Sequence, residues 1–127
     1  MKGKIFLIDD DQAALDLFTK ALEKEGFEVL ASSEPIGTTN RAKAFAPDVI
    51  LLDVMMPALP GDRIVKLMKD KMPSQPQIIL FSNKGEDELK AIAKECGADG
   101  YVTKISGPSA VVKKVRECIV KKSRPAK

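Results

Sequence analysis

The sequence predicts an α/β fold in which a parallel sheet is covered by helices on both faces. Short apolar runs alternate with longer stretches whose apolar residues recur at three- and four-residue steps. The run at 49–52, Val-Ile-Leu-Leu, has no polar residue, which is typical of a strand buried on both faces. Strands and helices that alternate in this way form parallel sheets with crossover helices.

The predicted strands are short apolar runs that stop at polar residues. The first, at 4–8, ends abruptly at Asp9, and the most apolar, at 49–52, ends at Asp53. A carboxylate contributes nothing to a sheet, and its position after a buried strand therefore indicates either a turn or a chemical site. The five strands are expected at 4–8, 27–31, 49–52, 77–81 and 100–103.

The predicted helices are amphipathic stretches bounded by residues that begin or end helices. Gly26 and Gly97 follow two of them as C-terminal stops, and Pro108 suits the first turn of the last one. Asp11 immediately precedes the first helix and is expected to be its N-cap. The five helices are expected at 12–25, 36–45, 62–71, 86–96 and 108–122.

Length and composition indicate one globular domain. The chain has 127 residues, of which 44% are hydrophobic and 31% charged, and a domain of this size buries a core without disulfides or structural metal. We expect this domain to occupy 1–122, followed by a basic C-terminal tail at 123–127. The apolar runs are too short for a membrane span or a secretory signal, which predicts a cytoplasmic protein.

Charge and residue content argue against several classes of function. A net charge of +3, with one Tyr and no Trp, gives little support for direct nucleic-acid binding, so the late basic residues are interpreted as a solvated helix face and a tail. The absence of His excludes a zinc site or a triad built on His. Cys96 and Cys118 lie among apolar residues at helical spacing and are interpreted as reduced core thiols.

Polar side chains close the predicted strands, and the carboxyl ends of strands in an open parallel sheet are where ligands bind. These residues are Asp9, Asp10, Asp53, Ser82 and Lys104. Three carboxylates on one rim repel each other by about 4 kcal/mol per pair at ~4 Å and a dielectric near 20. A cation must hold them, and Mg²⁺ suits carboxylate and phosphate oxygens, with Mn²⁺ as an alternative.

This set of residues suits phosphoryl transfer. An aspartate such as Asp53 can attack phosphorus and become an aspartyl phosphate, while a metal ion offsets the charge that spreads over the transferred group. Lys104 and the Ser82 hydroxyl can meet the remaining phosphoryl oxygens.

Four motifs occur together between Lys4 and about Lys122. They are residues 7–11 (Leu-Ile-Asp-Asp-Asp), 52–57 (Leu-Asp-Val-Met-Met-Pro), 81–82 (Phe-Ser) and 97–104 (Gly-Ala-Asp-Gly-Tyr-Val-Thr-Lys). In this combination the chain resembles the receiver domains of two-component response regulators. The resemblance implies a doubly wound five-stranded parallel sheet in the order 2-1-3-4-5 with five helices, a flavodoxin-like three-layer sandwich.

The resemblance also implies a metal site. Asp53 corresponds to the phosphoacceptor and to a metal ligand, and Asp9 and Asp10 correspond to the acidic pair that positions Mg²⁺. The backbone carbonyl of Met55 corresponds to a further ligand.

The same resemblance implies two switch residues and shows two departures. Ser82 corresponds to the switch hydroxyl, Tyr101 to the aromatic side chain that changes rotamer on activation, and Lys104 to the basic partner of the phosphoryl group. Ile105 stands where the family usually has Pro, and Asn83 where it usually has a small residue. Both differences concern loops beside the expected site.

The implied function is phosphorylation-dependent signalling. A sensor histidine kinase or histidine phosphotransfer protein would donate the phosphoryl group to Asp53. The domain would not be an enzyme but a phosphoacceptor that assists its own Mg²⁺-dependent phosphorylation and dephosphorylation. The output would be a protein target or a homodimer through the elements at 86–96, 100–103 and 108–122, without direct contact to nucleic acid or membrane.

Ile105 and Asn83 leave open an alternative, a binding module of the same fold that phosphate does not switch. An aspartyl-phosphate phosphatase is set aside because Met55 stands where those enzymes have a second Asp. A flavin carrier would need a Ser/Thr/Gly-rich loop after the first strand, where this chain is acidic.

Overall fold

Strands and helices alternate along the part of the chain that the computed structural model describes, which is residues 3–34, 37–54, 65–66, 69 and 75–123. The strands are β1 (Lys4–Ile8), β2 (Glu28–Ser32), β3 (Val49–Leu52), β4 (Gln77–Ser82) and β5 (Gly100–Thr103). The helices are α1 (Gln12–Lys24), α2 (Thr38–Phe45), α3 (Glu86–Cys96) and α4 (Pro108–Ser123). A short 3₁₀ turn, Lys104–Ser106, joins β5 to α4.

The five strands form one parallel sheet in the order β2-β1-β3-β4-β5, which confirms the order that the resemblance implied. Ile8, the last residue of β1, pairs with Ser32 on one side and Leu52 on the other. Leu52 in turn pairs with Leu80 of β4. The carboxyl ends of the strands therefore meet at one rim, as the position of the polar residues required.

The sheet is buried on both faces because alternate residues of each strand point to opposite sides. One face packs against α1 and α4 and forms the first core cluster, and the other packs against α2 and α3 and forms the second. Burying each large apolar side chain contributes about 1.5–3 kcal/mol, so both layers hold the strand ends in place. In β3, Val49 and Leu51 belong to the first cluster and Ile50 and Leu52 to the second.

The helix predicted at 62–71 lies mostly outside the described residues. Those that the structure describes there, residues 65, 66 and 69, are helical. Val65 is fully buried in the second cluster, as expected for the apolar side of a helix that covers the sheet.

The predicted helix ends are confirmed at α1 and α3. The side chain of Asp11 accepts hydrogen bonds from the backbone N–H groups of Ala13 at 3.0 Å and Ala14 at 3.4 Å, which makes it the N-cap of α1. Gly97 ends α3 with φ of 80°, a conformation that glycine adopts without steric cost.

Element boundaries differ from the predictions by one or two residues. β2 begins at Glu28 rather than at Phe27, because the Phe27 N–H donates to the Leu22 carbonyl and its ring packs into the first cluster. α2 begins at Thr38 after Gly37, and the two residues before Gly37 lie outside the described part.

The two cysteines are reduced thiols, as predicted. Cys118 is buried in the first cluster and Cys96 is partly buried against the second. The sheet therefore separates them.

Within the described residues, every helix is too short or too polar to cross a membrane.

Candidate functional site

Backbone hydrogen bonds of the sheet hold Asp9 and Asp53 on the rim. The Asp9 N–H donates to the Ser32 carbonyl at 3.2 Å, and the Asp53 N–H donates to the Ile8 carbonyl at 3.0 Å. Both bonds continue the ladder by one residue beyond β1 and β3. The side chain of each aspartate is buried, with residue exposures of 0% and 3%. Two carboxylates are thus fixed in a region where an uncompensated charge is expensive.

Asp10 completes a cluster of three carboxylates. Asp9, Asp10 and Asp53 each offer one oxygen, and these oxygens all lie within 4.8 Å of one another. Asp10 is exposed, unlike the other two, so the cluster opens to solvent on one side. The structure therefore brings together the three acidic residues that the sequence singled out.

Lys104 supplies positive charge from the end of β5. Its Nζ lies 2.5 Å from Asp9 Oδ2 and 3.3 Å from Asp53 Oδ2, and only 9% of its side chain is exposed. Burial by itself lowers the pKa of this ammonium, but the contacts with Asp9 and the charge of Asp53 outweigh burial and raise the pKa above its ordinary value of 10.5. Lys104 is thus held in its charged form against two buried carboxylates.

The residues present fit a divalent cation with oxygen ligands. Three carboxylates and one ammonium leave a formal charge of −2. Asp9 Oδ1 accepts a hydrogen bond from the Asp11 N–H at 3.0 Å. Asp9 Oδ2 is buried and accepts no well-directed hydrogen bond from the residues described, although Lys104 Nζ makes ionic contact with it. An electron-rich buried oxygen beside two other carboxylates matches the oxygen sites that Mg²⁺ and Mn²⁺ occupy.

Phe81 contacts the site, although the sequence pattern marked it only as a strand residue and as part of the motif at 81–82. It is fully buried in β4, and Lys104 Nζ lies 5.0 Å from the centroid of its ring. Phe18 of α1 packs against Phe81 in an edge-to-face arrangement, with ring centroids 4.7 Å apart and an interplanar angle of 88°. In the sequence, only its position immediately before Ser82 distinguishes Phe81 from other core residues.

The family model described as the response regulator receiver domain matches residues 5–116. This chain belongs to the response regulator receiver domains. The match covers most of the chain and includes β1 from Ile5 onward, the other four strands and each of the three carboxylates.

The receiver domain is similar to about half the length of several curated transcriptional regulators. It is 33% identical over 116 residues to the alkaline phosphatase synthesis transcriptional regulatory protein PhoP of Bacillus subtilis, covering 91% of this chain and 48% of that protein. It is 35% identical over 122 residues to the phosphate regulon transcriptional regulatory protein PhoB of Pseudomonas aeruginosa, covering 91% and 52%. The chain thus spans about half the length of the curated relatives it matches.

Solved receiver structures share this fold. The BeF3-activated receiver domain of DrrB has a TM-score of 0.80 and 31% identity, with 94% of this chain and 99% of that chain covered. The Thermotoga maritima regulator DrrB, described as an OmpR/PhoB homolog, has a TM-score of 0.80 and 30% identity, with coverage of 98% and 55%.

The receiver domain keeps Lys104 at the site although Ile105 replaces the usual Pro. The described peptide bonds are all trans, and Ile105 points outward with 78% exposure. The Thr103 and Ser106 hydroxyls lie 2.7 Å apart, and the Gly107 N–H donates to the Lys104 carbonyl at 3.0 Å. These bonds close the turn that carries Lys104 to the carboxylates.

The other family positions of the receiver domain lie on or near the same rim. Ser82 is fully buried at the end of β4, and its Oγ accepts a hydrogen bond from the Lys84 N–H at 3.2 Å. Tyr101 in β5 is partly buried against the second cluster. Asn83 is exposed. Met55, whose carbonyl the resemblance implied as a ligand, lies outside the described residues.

Proposed function

We propose that this receiver domain accepts a phosphoryl group onto Asp53 and thereby switches a protein-interaction surface. The observation that supports this most is the placement of Asp53 at the end of β3, buried within a carboxylate cluster and 3.3 Å from the ammonium of Lys104. A buried carboxylate that is both crowded by like charges and paired with a cation is a candidate nucleophile.

In the proposed reaction an Asp53 oxygen attacks the phosphorus of a phosphohistidine. The O–P bond forms, the P–N bond breaks, and the imidazole of the donor leaves as the free side chain after taking up a proton. Lys104 meets the negative phosphoryl oxygens, and the Ser82 hydroxyl donates a hydrogen bond to one of them. Catalysis of this kind consists mainly of positioning and charge stabilisation.

Asp9, Asp10 and Asp53 would hold Mg²⁺, or Mn²⁺ in its place, with the Met55 carbonyl as a further proposed ligand. When bound, the ion offsets the charge on the phosphoryl oxygens. Because the same carboxylates, with Lys104, also position the phosphoryl group for water, the domain would assist its own dephosphorylation without acting on a separate substrate.

The switch would use Ser82 and Tyr101. A phosphoryl group on Asp53 would attract the Ser82 hydroxyl, and the space that this movement leaves would let the partly buried ring of Tyr101 turn inward. The surface formed by α3, β5 and α4 would change with it and bind a protein target or a second copy of the domain.

The proposed phosphodonor is a sensor histidine kinase or a histidine phosphotransfer protein. The proposed location is the cytoplasm, which agrees with two cysteines that are reduced, because thiols stay reduced there. Direct binding to nucleic acid or membrane is not part of the proposal.

The test is phosphorylation with acetyl phosphate and Mg²⁺, followed by intact-mass spectrometry. We expect wild type to gain one phosphoryl group and Asp53→Asn to gain none. Asp48→Asn is the matched control, because Asp48 lies at the opposite end of β3 and accepts a hydrogen bond from the Lys4 N–H at 3.0 Å; it should be labelled like wild type.

Equal labelling of wild type and Asp53→Asn would refute Asp53 as the acceptor. Absence of labelling in wild type, together with no Mg²⁺ binding by calorimetry, would favour the binding module that phosphate does not switch.

A further inference from the structure

We propose that Phe81 is a positioning residue for Lys104, with its ring holding the ammonium on the rim between Asp9 and Asp53. The contact itself is independent of what the domain does. Its expected effect on reaction rate rests on the proposed function.

The geometry is that of a cation over an aromatic ring. Lys104 Nζ lies 5.0 Å from the centroid of the Phe81 ring, inside the distance at which the ring quadrupole attracts an ammonium. Phe81 is 0% exposed, and the Lys104 side chain is 9% exposed. Water therefore screens this attraction little, and a desolvated contact of this type is stronger than one at the surface.

The ring is also rigid. Phe81 belongs to β4, a central strand that pairs with β3 and β5, and its backbone pairs in register with Val102. The ring is fully buried among the many side chains of the first core cluster. A ring fixed by the pairing of its own backbone and by burial on a central strand has one orientation, so it can fix the ammonium that lies over it.

The contacts that Lys104 makes with carboxylates are the ones that the proposed reaction changes. Asp53 forms the new bond to phosphorus, and Asp9 would share its oxygens with a cation. The ring of Phe81 carries no charge and takes no part in bonding, so its contact with Lys104 persists through those changes. Phe81 thus provides the constant part of the environment of Lys104.

The contact can be tested without any activity. Ring currents shift the ε-methylene NMR signal of Lys104, which is identified by its loss in Lys104→Met. Phe81→Leu removes the ring and keeps an apolar side chain, so we expect the signal to move to the position of exposed lysines. Phe18→Leu is the matched control: it removes the neighbouring ring of the same cluster without removing the ring under Lys104, and the signal should stay shifted.

The rate of phosphorylation by acetyl phosphate tests the consequence. We expect Phe81→Leu to lower the maximal rate about tenfold, equivalent to ~1.4 kcal/mol, while the half-saturating Mg²⁺ concentration stays within about twofold. Phe18→Leu should change the rate less than about twofold, although both variants lose free energy of unfolding by leaving a cavity. In a Lys104→Met background, Phe81→Leu should have no further effect, because its action passes through the amine.

Three results would overturn the proposal: an unshifted Lys104 signal in wild type, an equal loss of rate in Phe18→Leu and Phe81→Leu, or a further tenfold loss in the Lys104→Met background. Failure of the proposed function has a different signature, since wild type would then take up no phosphoryl group. In that case the NMR comparison alone decides whether Phe81 positions Lys104.

Discussion

Lys104→Met removes the only cation that the described residues place between Asp9 and Asp53. At an effective dielectric near 20, the two contacts at 2.5 and 3.3 Å correspond to gross attractions of about 7 and about 5 kcal/mol. The cost of burying the ammonium offsets much of this attraction. The carboxylates that remain, however, are left without compensation, and breaking such a buried pair costs about 3–5 kcal/mol. We expect the free energy of unfolding to fall by about that amount in the absence of divalent cations.

Urea unfolding followed by circular dichroism, in buffer with chelator, measures this loss. Lys84→Met is the matched control, because Lys84 pairs with Glu88 at 3.3 Å on the surface, with side-chain exposures of 31% and 54%. An exposed pair contributes about 0–1 kcal/mol, so the control should lose no more than that. Saturating Mg²⁺ should reduce the deficit of Lys104→Met, because a cation at the carboxylates replaces part of the missing charge.

A Lys104→Met deficit as small as that of Lys84→Met would refute the electrostatic account of the site. So would a deficit that is the same with and without Mg²⁺, since the carboxylates would then neither need nor bind a cation.

Two further predictions concern the same charges. Asp9→Asn should weaken Mg²⁺ binding at least about tenfold, as measured by calorimetry. Asp11→Asn is the control: its amide still caps α1, so Mg²⁺ affinity should change less than about threefold. Similar losses of affinity in both variants would contradict the assignment of Asp9 as a metal ligand. Because the pKa of Lys104 is raised in the folded protein, its contribution to stability is complete below pH 10.5 and is lost as the pH rises through the folded pKa. In metal-free buffer, the difference in unfolding free energy between wild type and Lys104→Met should therefore narrow as the pH rises above 10.5. A difference that stays constant would argue against the raised pKa.

Much of the fold follows from local patterns in the sequence. The strand at 49–52 is apolar throughout, and the structure buries all four residues on both faces of the sheet. Asp11 and Gly97 mark the start of α1 and the end of α3 because capping depends on a few neighbouring residues. Strand and helix boundaries do not follow from local patterns where a tertiary contact decides them. Phe27 is an example: its ring packs into the first core cluster, and β2 begins one residue later, at Glu28.

The candidate site could be predicted as a set of residues but not as a geometry. Strand-end positions indicated Asp9, Asp53 and Lys104, because parallel strands bring their carboxyl ends to one rim. The contact between Phe81 and Lys104 joins β4 to the turn after β5 through a ring and an amine, and nothing in the sequence pattern of either segment specifies that distance.

In the part of the chain that the structure describes, the sequence by itself determined where the strands and helices lie, to within one or two residues, and which polar side chains close the strands, because periodicity and capping are local properties of the chain. The tertiary structure alone decided that Asp9 is fully buried, that Lys104 contacts Asp9 more closely than Asp53, and that an aromatic ring lies beneath the amine. Distances, burial and the resulting pKa of Lys104 depend on how separate strands and helices pack, and packing involves residues far apart in the chain.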